Sequence, residues 1–444
     1  MCLVKLTGTM ANFSEIRRVL AYRDFRLLWL SQSASVIGDN IVLVALALFV
    51  VGQTGSATDL GLVLAAHAFS LVAFLLIGGV WADRLPRHRV MITTDLVRFA
   101  LHALLAALIF AGSVRIWEVV AIEILFGSAE AFFRPAANGL VPQTVPEADI
   151  QPATAVLSMS SNVAEFAGPA LATALVLGAG AGWAFALDAA TFLVSAAFLA
   201  GVHPRARQTS ASGAPSPPEQ SAESVWEGMR VGLREVRARA WVWATLVSFC
   251  VALFCGLAPW FVLGPVVARE QYGHISVYGI LEATFGFGTI IGSLMGVVWR
   301  PRYPLRLGML AMLIWPLASI LYAAGVALIV VIPATVLGGI GLALFDVWWL
   351  TALAERIPPG SLSRVTSYDW MVSYALLPLG YILAGPLASK LGSVDVLAGG
   401  SVLALLAFAL GLLPRQTRML ERLSTAGAPT AASEDSLRRI GHRS

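Results

Sequence analysis

Twelve long apolar runs limit what this 444-residue chain can become. They lie near 27–51, 58–82, 90–112, 115–138, 153–177 and 181–202, and near 242–267, 276–299, 305–325, 328–353, 364–389 and 394–413. Each has the ~20 residues a helix needs to cross a hydrocarbon core. In lipid a backbone must satisfy its own hydrogen bonds, so an open run of this length folds as a helix. Only 13% of the residues are charged, about half the roughly 25% of a soluble domain. The expected architecture is all-α and integral to the membrane, with twelve transmembrane helices. A six-helix bundle over 1–202 and another over 241–414 flank a linker at 203–240, and residues 415–444 read as a disordered tail.

The first half of the linker, HPRARQTSASGAPSPPEQ, has the Pro/Ser/Ala composition of a flexible connector. The second half sets Val225, Met229, Leu233 and Val236 at helical spacing among Arg230, Arg234, Arg237 and Arg239. It reads either as an amphipathic helix on an anionic membrane surface or as a solvated helical stub. Cationic loops mark the cytoplasmic side. With the N-terminus inside, 25 of the 30 Lys and Arg fall on that side; Arg115, Arg269 and Lys390 fall outside, and Arg98 and Arg134 lie within spans. Both termini are therefore expected in the cytoplasm. This placement accounts for the net charge of +4 without invoking nucleic acid. The first residues lack an apolar segment ahead of a small-residue cleavage site, so no cleaved signal peptide is expected. Three cysteines imply no disulfide or metal framework. Cations are 28 Arg and two Lys, a bias that, with abundant alanine, suggests a GC-rich bacterial genome and a bacterial plasma membrane.

The halves echo each other at one offset. Gly79 and Gly296 are 217 apart, as are Pro142 and Pro359, and the AGP tripeptides at 167–169 and 384–386. Six spans per half with a shared offset indicate an internal duplication, and parallel repeats around a central cavity are a transporter plan. The second span ends in GGVWADRLPRHRV, where Asp83, Arg84, Arg87, His88 and Arg89 fall within seven positions. The arginines serve orientation. Asp83, and Gly79 one turn before it, need another reason: a Gly admits a close helix, and a carboxylate at the membrane edge can face a helix N-terminus.

That loop resembles the hallmark loop of the major facilitator superfamily, in which a Gly is followed by Asp four residues on and then by basic residues. Gly79, Asp83, Arg84, Arg87 and Arg89 fit it, and Pro86 stands where the family usually has Gly. The resemblance covers nearly the whole chain. It implies the major facilitator fold, two bundles in pseudo-twofold relation around a central cavity. It also implies that the loop latches the halves on the cytoplasmic side, with Asp83 facing the start of the eleventh span near Ser361 to Arg364. An arginine of the knot is then expected to meet an acid on the fourth span, for which Glu130, with Arg134 beside it, is the candidate. The position 217 after Asp83 is Arg300, so the second half keeps the basic residues without the acid. The stretches YRDFRLLWLSQSASVIGDN, FFRPAANGLVPQTVP and RVTSYDWMVSYALLPLGYILAGPL resemble the macrolide-efflux and enterobactin-exporter-like branch of drug:proton antiporters. Gly168 and Pro169 partly meet the family's fifth-span antiporter motif, and Pro169 lets the helix bend.

An ionisable group within a span costs at least ~2.5–3.5 kcal/mol on insertion scales. Asp39, mid-way along the first span, reads either as a proton site or as a structural hydrogen bond. Glu130 and Arg134 are spaced for an i,i+4 ion pair. Glu123, seven residues earlier on the same face, has no local partner and is a candidate for proton or cationic-substrate contact. Asp95 and Arg98 read as a structural pair, and His67 as a buried hydrogen-bonded ring. Glu165, Glu282, Asp346 and Asp369 are single acids in spans five, eight, ten and eleven, open to coupling, gating or packing roles. Phe132, Trp348, Trp349 and Trp370 either line a cavity for flat lipophilic compounds or serve packing and interface belts.

The expected function is proton-coupled export of lipophilic or amphiphilic small molecules by alternating access, in the manner of multidrug or antibiotic efflux. The alternatives are a dedicated exporter of a siderophore or other secondary metabolite and an integral-membrane lipid-modifying enzyme. The enzyme reading lacks polar catalytic loops and nucleophile–base spacings, so the chain is read as no enzyme. No Walker-type loop is present for ATP, no cofactor or metal is expected, and the chain is expected to work as a monomer with substrate, protons and lipid as its partners.

Overall fold

A computed structural model describes residues 16–204, 230, 233–299, 301–357 and 359–421. Within these, the side chains of 76–84, 162, 166, 297, 359–364, 367 and 370 are not described. The first half holds α1 (Arg23–Thr54), α2 (Ala57–Arg84), α3 (Arg87–Phe110), α4 (Ile116–Leu140), α5 (Ile150–Gly178) and α6 (Ala181–Ala200). The second holds α7 (Ala240–Ala252), α8 (Ala258–Tyr272), α9 (Ser276–Val298), α10 (Pro304–Ala311), α11 (Ile314–Ala323), α12 (Leu328–Arg356), α13 (Pro359–Tyr374), α14 (Leu377–Leu391) and α15 (Ser393–Gly411). A short α16 (Arg415–Arg418) follows. Among the described residues, ten helical stretches are long and apolar enough to cross a membrane. The 25 residues of α4 and the 29 of α5 also have the length.

Three spans are not single helices, for local reasons. Between α7 and α8 the chain makes one π turn, Leu253–Leu257, within a continuous helical run. The ninth span breaks between α10 and α11, where Pro316 in the first turn of α11 lacks an N–H. The eleventh breaks between α13 and α14, where Pro378 in the first turn of α14 has no N–H to continue the helical ladder.

One end of the bundle carries the attachment of the 203–240 linker, and the other carries the turns at 55–56, 179–180 and 273–275. At this far end the two halves are pressed together. A Cβ on Gly61 of α2 would lie 2.3 Å from the Tyr381 carbonyl oxygen of α14, and one on Gly385 of α14 would lie 2.4 Å from the Thr58 Cα. Gly385 belongs to one AGP tripeptide. Its counterpart, Gly168, lets α5 meet α1 at Asn40, again at 2.4 Å for a Cβ. The repeated tripeptide marks a close helix crossing in both halves.

At the linker end, charged clasps hold loops to helix ends. Buried Asp149 takes Arg18 at 2.5 Å and the Tyr22 hydroxyl at 2.9 Å. Arg302 and the Tyr303 hydroxyl both donate to Glu421, at 2.9 and 3.1 Å, and Arg356 donates to the Glu421 carbonyl. Glu421 thus brings an acid to the loop that, at Arg300, lacks one in sequence. Arg302 holds the Glu421 carboxyl below the usual carboxylate range.

Candidate functional site

Inside the first bundle, α1, α2, α3, α4 and α6 bring five carboxyls, two guanidiniums and two imidazoles into one connected group. Its centre is Arg98 on α3, whose side chain is 1% exposed. Arg98 binds Asp95 at 2.5 Å and lies 3.9 Å from Asp39 on α1. Its guanidinium is held between the rings of Phe133 and Phe192, 4.2 and 4.3 Å from their centroids. Such desolvated cation–π contacts lower the cost of burying the charge. Asp95 also accepts from Ser195 of α6 at 2.6 Å, and Ser195 meets Ser31 of α1 at 2.7 Å.

A second branch runs through histidines. His67 of α2 has Nδ1 3.0 Å from Glu123 and Nε2 3.1 Å from Glu130, both on α4. The seven-residue spacing sets those acids about 10 Å apart along the axis, so one ring spans two helical turns. Glu130 also takes Arg134 at 2.6 Å. His102 of α3 binds Asp188 of α6 through Nδ1 and points Nε2 at Glu123, 3.7 Å away. The His102 ring stacks on Phe126 at 4.0 Å and 4°.

Two glycines set these distances. A Cβ on Gly127, between Glu123 and Glu130, would fall 2.5 Å from the His67 carbonyl oxygen. One on Gly38, beside Asp39, would fall 2.1 Å from Asp188 Oδ1. Because backbone cannot yield as a side-chain tip can, Gly127→Ala is expected to separate α2 from α4 and cost about 1–3 kcal/mol. A melting curve of the purified variant checks this; an unchanged midpoint contradicts it.

A second acidic group lies between the halves. Asp346 of α12 lies within electrostatic reach of Glu165 on α5 and Asp369 on α13, and Tyr374 lies within reach of all three and of Arg134. Pro169 has no N–H for the Glu165 carbonyl one turn back, which frees that backbone oxygen beside the carboxyl.

Comparison with known proteins identifies the family of this helical membrane bundle. The family model of the Major Facilitator Superfamily matches residues 28–376. The chain belongs to the major facilitator superfamily. Macrolide efflux protein A of Streptococcus pyogenes is 23% identical over 377 residues, covering 83% of this chain and 90% of that protein. An uncharacterized MFS-type transporter, YvqJ of Bacillus subtilis (strain 168), is 24% identical over 388 residues, covering 87% and 90%. The crystal structure of a bacterial homologue of the human lysosomal transporter Spinster, inward-facing, has a TM-score of 0.68 at 17% identity, covering 91% of this chain and 99% of that one. The nucleoside transporter NupG (D323A mutant) scores 0.66 at 14% identity, with 87% and 99% covered. The protein is therefore a multi-pass membrane transporter and not an enzyme.

In this transporter the other singled-out residues fall as follows. Glu282 of α9 accepts from the Trp260 indole at 2.5 Å and from Tyr278, so its partners are neutral donors of the second half. The Trp349 indole donates to Asp369 at 2.9 Å. Trp348 donates to the Trp299 carbonyl at 3.3 Å and lines a cavity of about 230 Å³ at the linker end, with Glu355, Arg356 and Glu421. That places Trp348 away from the bundle's interior acids. Phe132 is half-buried against the core cluster that includes Val19, Phe25 and Met91. Arg87 donates to the Gly139 carbonyl at the end of α4, whereas Glu130, expected to meet the arginine knot, is engaged by Arg134 and His67. The side chains of Gly79, Asp83, Arg84, Ser361 to Arg364 and Trp370 lie outside the described ones, and Arg89 is exposed.

The sequence reading missed His102 and Asp188. Each is a single polar residue in an otherwise apolar run, the same signal that picked out Asp39. The aromatic residues around Arg98 and His102 (Phe126, Phe133 and Phe192) were hidden among ordinary core phenylalanines. The structure also unites Asp95 and Arg98 with Asp39, as members of a group larger than a local pair.

Proposed function

We propose that this transporter is a proton-driven exporter of lipophilic or amphiphilic small molecules, seated in a bacterial plasma membrane with both termini in the cytoplasm. The observation that carries the reading is the charge balance of the buried group. With both imidazoles protonated, it holds four positive charges against five carboxyls. One carboxyl must carry a proton or stand uncompensated in the membrane. Asp39 is the most weakly paired, at 3.9 Å from Arg98, and the most exposed, at 34%. It is the natural place for a proton to be taken up and released. Glu165, Asp346 and Asp369, drawn from both halves, suit a substrate with a positive end, and movement of the halves changes their separation. The macrolide efflux relative supports the export direction, and the arginine-rich linker supports the orientation.

The test uses everted membrane vesicles with an acid lumen. Erythromycin, ethidium and an iron-free siderophore are added in turn, with and without a protonophore. Protonophore-sensitive accumulation of both erythromycin and ethidium is expected. Accumulation of the siderophore alone would replace this reading by that of a dedicated metabolite exporter. Accumulation that ignores the protonophore would remove proton coupling.

A further inference from the structure

We propose that His67 and His102 form a relay that carries a proton from Glu130, at the open margin of the buried group, to Asp188 in its sealed interior. The gap between His102 and Glu123 acts as the gate. This rests on the proton-driven reading and adds to it the route by which the proton is occluded while the halves move.

The first argument counts hydrogens. His67 has a carboxylate on each ring nitrogen, at 3.0 and 3.1 Å. Each link requires one proton, so His67, Glu123 and Glu130 together hold two. A neutral ring with one protonated carboxyl and an imidazolium between two carboxylates satisfy the same geometry. The two forms differ only in where a proton sits along a hydrogen bond, which is the condition for passing one through an imidazole.

The second is the open link. His102 Nε2 and Glu123 Oε1 face each other at 3.7 Å, beyond hydrogen-bond range. Both atoms are buried and have no hydrogen-bond partner. A buried polar atom left unpaired is costly, so two that face each other less than 1 Å too far apart define a contact that a small helix shift completes. His102 Nδ1 is already bound to Asp188, whose Oδ1 is likewise buried and unpaired.

The third is a gradient of exposure. Along the path side-chain exposure is 12% at Glu130 and 27% at His67, then 3% at Glu123 and 0% at His102 and Asp188. The path leads from accessible to sealed. Asp188 lies against the Gly38 backbone beside Asp39, and the charged groups around it are His102, Arg98, Glu123, Asp39 and Asp95.

The transfers balance. A proton on Glu130 passes to His67 Nε2 as the Nδ1 proton moves to Glu123. That proton arrives on Oε2, the oxygen facing His67; a half-turn of the Glu123 carboxyl carries it round to face His102, and with the gap closed it passes to His102 Nε2 as the Nδ1 proton moves to Asp188. Each transfer breaks one O–H or N–H bond and forms another, no electron changes owner, and the reverse sequence resets the rings. Phe126, stacked on His102, fixes the plane of that ring.

The test compares His67→Gln, His102→Gln and wild type in everted vesicles with erythromycin. Gradient-driven uptake is expected to fall at least tenfold in both variants. Erythromycin exchange at equal pH on both sides, which needs no net proton movement, is expected to stay within twofold. Driven uptake retained within twofold in either variant would overturn the relay, as would parallel loss of driven uptake and exchange in protein that melts like wild type. A substrate-free measurement keeps the relay testable if wild type accumulates no probe, a result that would sink the exporter reading by itself. In detergent-solubilised protein labelled with ¹⁵N-histidine, the two rings are expected to titrate as one coupled unit. Glu123→Gln should separate them into two independent titrations. Rings that titrate independently in wild type would overturn the relay.

Discussion

Arg98→Met is expected to destabilise the transporter by about 3–5 kcal/mol, the cost of stranding a buried charge partner. Asp95 is fully buried beside Arg98, and without the guanidinium it keeps only the Ser195 hydroxyl. Phe133 and Phe192 lose the group packed between them. The effect has a specific counter-test, because the strain comes from an uncompensated carboxylate and not from lost volume. Asp95→Asn combined with Arg98→Met should recover at least half of the loss, since a buried pair replaced by neutral groups is often neutral or stabilising. Melting of the detergent-solubilised single and double variants decides it. A double variant as unstable as Arg98→Met alone would place the cost in packing.

The second large effect is functional. Asp39→Asn should abolish gradient-driven accumulation, a loss of at least tenfold, while leaving exchange of substrate across the membrane intact. The substitution removes the fifth carboxyl of a group that already holds four positive charges when both imidazoles are protonated. It leaves Arg98 its short contact to Asp95. Stability should hardly change, since Asp39 is the most loosely tied acid of the group. Accumulation that survives in Asp39→Asn and still collapses with a protonophore would move the coupling site to another carboxyl, with Glu130 the next most exposed. Equal loss of accumulation and exchange would make Asp39 part of the substrate path.

The helical membrane architecture was legible because the bilayer imposes it: apolar length and scarce charge admit few alternatives. Breaks within spans were partly legible. Pro378 and Pro316 announce them, but the chain around each is apolar enough to be read straight through. The buried group was half visible. Asp39, Glu123 and Glu130 stand out as isolated charges in oil. That His67 bridges both glutamates depends on Gly127 bringing α2 against α4, a tertiary fact that helical spacing alone does not contain. Asp188 and Asp39 lie 149 positions apart along the chain and meet only because Gly38 has no side chain. Glu165, Asp346 and Asp369, three separate singletons in sequence, become one group only when the two halves assemble.

The π turn at Leu253–Leu257 has a consequence for motion. A helix with a π turn holds one residue more than a regular helix of that length, and this surplus can travel. Sliding it by a turn would swing the residues it passes by about 100° and leave both ends of the span where they are. The twelfth span is already shaped around the surplus. Gly400 of α15 has no side chain where a Cβ would lie 2.0 Å from the Cys255 carbonyl oxygen, and Gly256 faces Ala404 at 2.9 Å on the same terms. Just beyond it, Trp260 holds Glu282. The seventh span therefore contains a gear: a one-residue slip there would turn side chains about the span's own axis, in addition to any movement of the halves. Deleting one residue from 253–257 would lock that gear in a single setting.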